Sequence, residues 1–212
     1  MSKISDIRKE YIKDSLSINE VSENPMDQFK LWFDQTLSSN LFYDPTAFTL
    51  STCGNNMNPH SRVVLLKDFG KDGFTFFTNY DSRKGRDISE NNNVSMLFFW
   101  DRLERQVRIN GKASKISSDQ SDEYFNSRPY ESRIGAIASN QSKTLNSKNE
   151  LEERIIQLKN KYPENPKRPD NWGGYNIEPS YFEFWQGRES RLHDRIVYEL
   201  INNEWTRRLL NP

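Results

Sequence analysis

Arg62-Val63-Val64-Leu65-Leu66-Lys67 and, beyond the polar stretch 68–72, Gly73-Phe74-Thr75-Phe76-Phe77-Thr78-Asn79 are two short runs rich in Val, Leu, Phe and Thr. Short β-branched and aromatic runs bounded by turn formers read as strands. The pattern recurs on either side, at 46–53, 94–101 and 105–116, with breaks at Gly54-Asn55-Asn56, 68–72, Asn91-Asn92-Asn93 and near Arg102. Regular spacing of this kind argues for an antiparallel sheet or barrel. One short helix, 82–90, interrupts it.

Further outward the periodicity changes. Phe29, Trp32, Phe33 and Leu37 form an apolar stripe within 25–41, with Pro25 in the first turn and Asn24 as its cap, which predicts an amphipathic helix. Residues 1–24 are polar and irregular and read as a mobile arm with one short helix, leaving 25–212 as a single domain. Helices are expected at 118–126, starting at Ser118, at 131–138 past the break at Pro129, and at 148–162, where Leu151, Ile155, Ile156 and Leu158 make the apolar face. Two last strands, 181–186 and 195–201, precede a tight turn at Asn202-Asn203 into 204–209. The fold class is mainly β, a barrel with helices packed around it.

Thirty Lys plus Arg balance thirty Asp plus Glu in 212 residues. That balance disfavours a nucleic-acid binder, which usually shows a basic excess, and leaves association with a second copy plausible. Aromatics make up 13% of the chain, so much of the core is Phe, Tyr and Trp. The single cysteine, Cys53, excludes an internal disulfide framework and reads as a buried thiol. The two histidines, His60 and His193, are too scattered to form a zinc site, so no metal is expected. No apolar signal or membrane span is present, which predicts a cytoplasmic protein.

Five clusters carry candidate chemistry. Trp185-Gln186-Gly187-Arg188-Glu189-Ser190-Arg191-Leu192-His193-Asp194-Arg195 crowds charges beside an aromatic ring. If it is extended, Arg191, His193 and Arg195 share one face, suiting a flat, phosphorylated ligand; a solvated surface strand is the plainer reading. In 62–67 a regular strand would put Arg62 and Lys67 on opposite faces. Thr78-Asn79-Tyr80-Asp81-Ser82-Arg83-Lys84-Gly85 runs from a strand through a polar turn into a helix, which makes either a phosphate cradle or a capped helix with basic residues outside. Tyr124 and Arg128, four apart before Pro129, form with Ser132 a second anion site or simply a helix-end arginine. The amides and hydroxyl of Gln106, Gln141 and Ser142 suit the edge of a heterocycle.

In this order the segments resemble the pyridoxine/pyridoxamine 5′-phosphate oxidases. The likeness runs from about Phe29 to the C-terminus. It rests on 62–67, Phe77-Thr78-Asn79, Ser82-Arg83-Lys84, Leu103-Glu104-Arg105-Gln106-Val107, Tyr124-Phe125-Asn126-Ser127-Arg128-Pro129, Gln141-Ser142, Glu183-Phe184-Trp185-Gln186-Gly187 and Arg191-Leu192-His193-Asp194-Arg195. The last motif is the most specific, since related split barrels usually lack it.

The resemblance implies an FMN-binding split β-barrel homodimer with active sites at the subunit interface. It implies oxidation of pyridoxamine or pyridoxine 5′-phosphate to pyridoxal 5′-phosphate, with hydride passing from C4′ to flavin N5 and O2 becoming hydrogen peroxide. By motif, FMN would be contacted by Arg62, Val63, Val64, Leu65, Leu66, Lys67, Phe77, Thr78, Arg83, Lys84, Gln106, Gln141, Ser142, Trp185 and Arg195. Substrate would meet Lys67, Tyr124, Arg128, Ser132, Arg191, Leu192 and His193, with Arg191 and His193 at the reacting centre. Arg8, Lys9, Glu10 and Tyr11 match an arm that covers the substrate. Three positions depart from the family pattern: Phe77 stands where Tyr is common, Ile137 replaces an aromatic, and the chain ends with the longer Arg208-Leu209-Leu210-Asn211-Pro212. The nearest rival is another split-barrel oxidase acting on a different ring, such as a phenazine precursor. A non-catalytic flavin or haem binder would have no use for the second anion site.

Overall fold

The computed structural model of the chain describes residues 3–7 and 9–212. Among these, nine strands follow in chain order as β1 (Ala47–Cys53), β2 (Pro59–Leu65), β3 (Asp68–Gly70), β4 (Gly73–Asn79), β5 (Asn93–Trp100), β6 (Arg105–Lys115), β7 (Trp172–Gln186), β8 (Asp194–Ile201) and β9 (Glu204–Leu209). The helices are α1 (Pro25–Ser39), α2 (Arg83–Glu90), α3 (Ser118–Ser127), α4 (Tyr130–Ala138) and α5 (Lys148–Lys161). The strand order is β2-β1-β5-β6-β7-β4-β3, with β8 on β7 and β9 on β8. The chain divides into two compact units, residues 1–50, 95–111 and 179–212 in one and 51–94 and 112–178 in the other.

In the first unit α1 starts as its sequence dictates. The Asn24 side chain accepts from Met26 N–H at 2.8 Å and Pro25 occupies the first turn, where its missing N–H costs nothing. Phe29, Trp32 and Phe33 are buried, but Leu37 is 44% exposed and Thr36 takes the inward position instead. The Thr36 hydroxyl is satisfied by donating to the Trp32 carbonyl at 2.8 Å. Phe29 lies edge-on to Phe98 at 5.1 Å and Trp32 edge-on to Phe184 at 5.3 Å, so α1 is attached through rings. Phe29→Ala should cost about 3–5 kcal/mol, the range for truncating a buried aromatic. Chemical denaturation would measure it, and a loss below about 1 kcal/mol would contradict this packing.

The β7–β8–β9 ladder completes this unit. Tyr181 to Gln186 pair antiparallel with Glu199 to Asp194, and β8 pairs with β9 through the Asn202-Asn203 turn. Both asparagines are left-handed, at φ 52° and 65°, as a two-residue hairpin requires.

In the second unit β4 pairs with β3 on one side and with 172–177 of β7 on the other. Two sequence expectations change here. Residues 68–70, expected as turn, form β3. The strand expected to start at 181 begins nine residues earlier, at Trp172. Gly173, Gly174 and Pro179 argue against a strand in isolation, but Pro179 lies between the stretch that pairs with β4 and the stretch that pairs with β8. α3 starts at Ser118 as expected, and its cap is the preceding Ser117, in a reciprocal pair with Gln120. On α5, Leu151, Ile155 and Leu158 are half-buried while Ile156 is 58% exposed. Cys53 is half-buried rather than buried, its thiol 3.7 Å from the Gly54 carbonyl.

Candidate active site

In the second unit β4 delivers Phe77 and Thr78 to a polar turn, and Ser82 caps α2 by accepting from Gly85 N–H at 3.3 Å. Gly85 is required there, because a Cβ would stand 2.0 Å from the Tyr80 carbonyl oxygen. This tight entry turns Lys84 inward, only 7% exposed, while Arg83 points out and is exposed. Lys84 Nζ donates to Thr78 Oγ1 and Gln141 Oε1, each at 3.1 Å, and to Ser82 Oγ at 3.5 Å. All three acceptors are neutral. Burial, with the positive charge of Arg62 nearby, lowers the Lys84 pKa to about 8.

Lys84 opens onto a cavity of about 350 Å³ lined by Val63, Val64, Leu65, Lys67, Phe77, Thr78, Gln141, Arg128 and Trp172, with Gly135 and Ala136 from α4. β2 ends at Leu65, so Lys67 lies beyond the strand, its N–H donating to the Thr75 carbonyl at 2.9 Å. The alternation that would set it opposite Arg62 therefore stops short. Leu66 is 4% exposed and sits in the core.

Phe77 and Tyr124 stack at 3.8 Å, and Trp172 lies nearly parallel to Tyr124 at 6.2 Å. Arg128, the residue that ends α3, places its guanidinium 4.7 Å over Trp172. Its Nη1 is buried with no hydrogen-bond partner among the described residues, and burial lowers its pKa. Ser132 is exposed and does not line this cavity, and Ser142 is exposed with φ 69°. Trp172 is a site residue that the sequence reading misses. The Gly173-Gly174 pair behind it was the available sign, since a Cβ on Gly174 would press into Ile116 and Phe77.

The first unit holds the other cluster, and here the extended reading of 185–195 is overturned. Residues 187–193 form the loop of a hairpin between β7 and β8, with Ser190 and Arg191 left-handed at φ 52° and 62°. Reversing the chain in so few residues needs those conformations, so Arg191, His193 and Arg195 do not alternate along one strand. Instead Trp185 and Arg195 are cross-strand partners, and directly opposed side chains share a face. Arg191 and Leu192 are exposed at the loop.

His193 folds back onto Trp185, with ring centres 4.6 Å apart, and its Nδ1 accepts from Arg188 N–H at 3.1 Å. A lone pair on Nδ1 places the proton of the neutral ring on Nε2. Burial, then the Arg191 charge, holds the His193 pKa below its usual value, opposed by Asp194. Arg195 Nε and Nη2 both reach Glu183 Oε1, at 2.9 and 2.8 Å, and Nη1 donates to the Asn211 carbonyl at 3.0 Å. The segment around Asn211 thus docks on Arg195. Gln106 is half-buried on β6.

The arm lies on this hairpin. Tyr11 meets the edges of Trp185 and His193, each at 5.7 Å, and the Glu10 carboxylate accepts from Ser190 N–H at 3.4 Å. Lys9 is exposed, and Arg8 lies outside the described residues. A Cβ on Gly187 would stand 2.7 Å from the Tyr11 ring, so Gly187→Ala should displace the arm. Tryptic cleavage at Lys9 and Lys13 should accelerate several-fold with little change in Tm, because only a local contact is lost. An unchanged cleavage rate would refute that docking.

The donor set suits FMN and a second small anion: an inward ammonium among neutral oxygens, a stack of rings, and a guanidinium with an unfilled buried donor, all on one cavity. The fold matches that of PhzG from Burkholderia lata 383, in complex with tetrahydrophenazine-1-carboxylic acid, with a TM-score of 0.88 at 28% identity over 94% of this chain and 98% of that one. It also matches a pyridoxamine 5′-phosphate oxidase-related, FMN binding protein from Nostoc punctiforme, with a TM-score of 0.70 at 16% identity over 91% and 100%. The fold class is therefore the split β-barrel.

Residues 39–162 match the family model described as pyridoxamine 5′-phosphate oxidase, and 172–212 match the pyridoxine 5′-phosphate oxidase C-terminal dimerisation region. The pyridoxine/pyridoxamine 5′-phosphate oxidases of Cytophaga hutchinsonii and Cupriavidus necator are 52% and 47% identical to the chain, over 93% and 100% of it and 92% and 100% of their own lengths. The chain belongs to the pyridoxamine 5′-phosphate oxidase family.

Proposed function

We propose that this protein oxidises pyridoxamine or pyridoxine 5′-phosphate to pyridoxal 5′-phosphate. O2 is reduced to hydrogen peroxide, and with the amine substrate water releases ammonia. The observation that carries the reading is one cavity lined by two separate cationic anchors, Lys84 among neutral oxygens and Arg128 over the Trp172 ring. One phosphorylated ligand would need only one of them. FMN, when bound, supplies the two-electron acceptor that no side chain provides.

The residues bind and orient. Lys84 and Thr78, with Arg62, hold the FMN phosphate, and Val63, Val64, Leu65, Lys67, Phe77, Gln141 and Ser142 flank the flavin; Arg83, which points outward, and Leu66, in the core, are carried over by the family motif alone. Arg128 and Tyr124, with Lys67, take the substrate phosphate; Ser132, outside this cavity, is carried over by the family motif alone. In a homodimer with its active sites at the subunit interface, Gln106, Trp185 and Arg195 face the flavin and Arg191, Leu192 and His193 the substrate ring. His193 presents an Nε2–H donor to the C4′ substituent, and the guanidinium of Arg191 stabilises charge as it develops there. Lys9, Glu10 and Tyr11 of the arm, with Arg8, cover the substrate and exclude water. Holding two flat rings in register is worth at most about 7–11 kcal/mol of the barrier.

Titration of the flavin-free, full-length protein with FMN tests the cofactor side. One FMN per chain should bind and turn the protein yellow, and riboflavin, lacking the phosphate, should bind far more weakly. Failure to take up FMN would defeat the proposal.

A further inference from the structure

We propose that Thr52 and Asp87 form a positioning relay that fixes the guanidinium of Arg62 for the FMN phosphate. The inference rests on the reading of Arg62 as a phosphate ligand. Arg62 Nη1 donates to Thr52 Oγ1 at 2.7 Å, and Thr52 Oγ1 donates to Asp87 Oδ2 at 2.7 Å. A hydroxyl has one proton. Because that proton is committed to the carboxylate, the Thr52 lone pairs are left facing Arg62, and the direction of the relay is set. Asp87 Oδ2 also lies 3.2 Å from His60 Nδ1 and 3.8 Å from Arg62 Nη2. Thr52 and Asp87 are 2% and 4% exposed, so water does not compete for these bonds.

The need for the relay follows from the charges. Arg62 and Lys84 are like-charged neighbours, and an arginine side chain has much rotamer freedom. Without a fixed partner the guanidinium would swing away from Lys84 until an anion drew it back, and each binding event would bear the cost of ordering it. Asp87 stands behind Arg62 and offsets the repulsion while leaving Lys84 facing the cavity. The relay is not what attaches α2 to the sheet. Glu90 accepts from Asn55 N–H at 2.9 Å and Asn91 donates to the Cys53 carbonyl at 2.9 Å, so the helix stays tied when the Thr52 hydroxyl is removed.

The test compares FMN with riboflavin on flavin-free, full-length protein, read by flavin fluorescence. Thr52→Val should weaken FMN about tenfold, the size of one charge-assisted hydrogen bond, and leave riboflavin unchanged. Thr52→Ser should restore FMN binding to within about twofold, since it keeps the hydroxyl. Asp87→Asn gives a second reading if Thr52→Val folds poorly: FMN should weaken several-fold and riboflavin should not. On an Arg62→Ala background Thr52→Val should cost nothing further. Equal losses of FMN and riboflavin, no loss of either, or a full tenfold loss on the Arg62→Ala background would each overturn the relay. If Arg62→Ala itself failed to separate FMN from riboflavin, the placement of the phosphate would fall, and the relay with it.

Discussion

Lys84→Met should weaken FMN about a hundredfold while leaving the flavin-free fold close to its original stability. The loss corresponds to about 3 kcal/mol, as for removing one partner of a desolvated, hydrogen-bonded charge pair. The fold is spared because burying an ammonium among neutral oxygens is itself costly, and methionine fills similar volume without that cost. The pKa of about 8, against an ordinary 10.5, adds a pH signature. Between those values the unfolded chain holds the extra proton, so flavin-free protein gains stability as pH rises through that window. FMN binding runs the other way. A phosphate dianion keeps the ammonium protonated, so above pH 8 binding takes up a proton and affinity falls, by up to about tenfold per pH unit. Lys84→Met should abolish that slope. A slope that survives the substitution would assign the titration to another group.

Arg128→Ala should raise KM for pyridoxamine 5′-phosphate roughly 30- to 100-fold with kcat nearly unchanged. Its guanidinium is oriented before any ligand arrives, stacked on Trp172 with Nη1 buried and unpaired among the described residues. A donor already desolvated gives most of its interaction to the anion that reaches it, about 2–3 kcal/mol for a charge-assisted pair. Phosphate grips ground and transition states alike, so the loss falls on KM. Pyridoxamine without its phosphate should be turned over by wild type and variant with nearly equal kcat/KM. An effect of the same size on both substrates would make Arg128 a packing residue, as its position at the end of α3 would also allow.

Much of this arrangement is legible in the sequence. The turn at 80–82, the Ser82 cap and the strand at 73–79 lie close together along the chain, and local rules describe them. Trp172 is not legible there, because its strand reads poorly until β4 supplies a partner. The tail misleads for a related reason. Alternation along 185–195 assumes an extended chain, but Ser190 and Arg191 reverse it, and the shared face of Trp185 and Arg195 comes from register across two strands. Neither Thr52 nor Asp87 stands out in sequence, since each matters only through contacts 10 and 35 residues away.

The most direct test of the central claim is product formation by the FMN-loaded protein with pyridoxamine 5′-phosphate under O2. Pyridoxal 5′-phosphate and hydrogen peroxide should appear in equal amounts, with one O2 consumed for each. A protein that binds FMN yet yields no pyridoxal 5′-phosphate, or that oxidises a phenazine precursor in its place, would contradict the account.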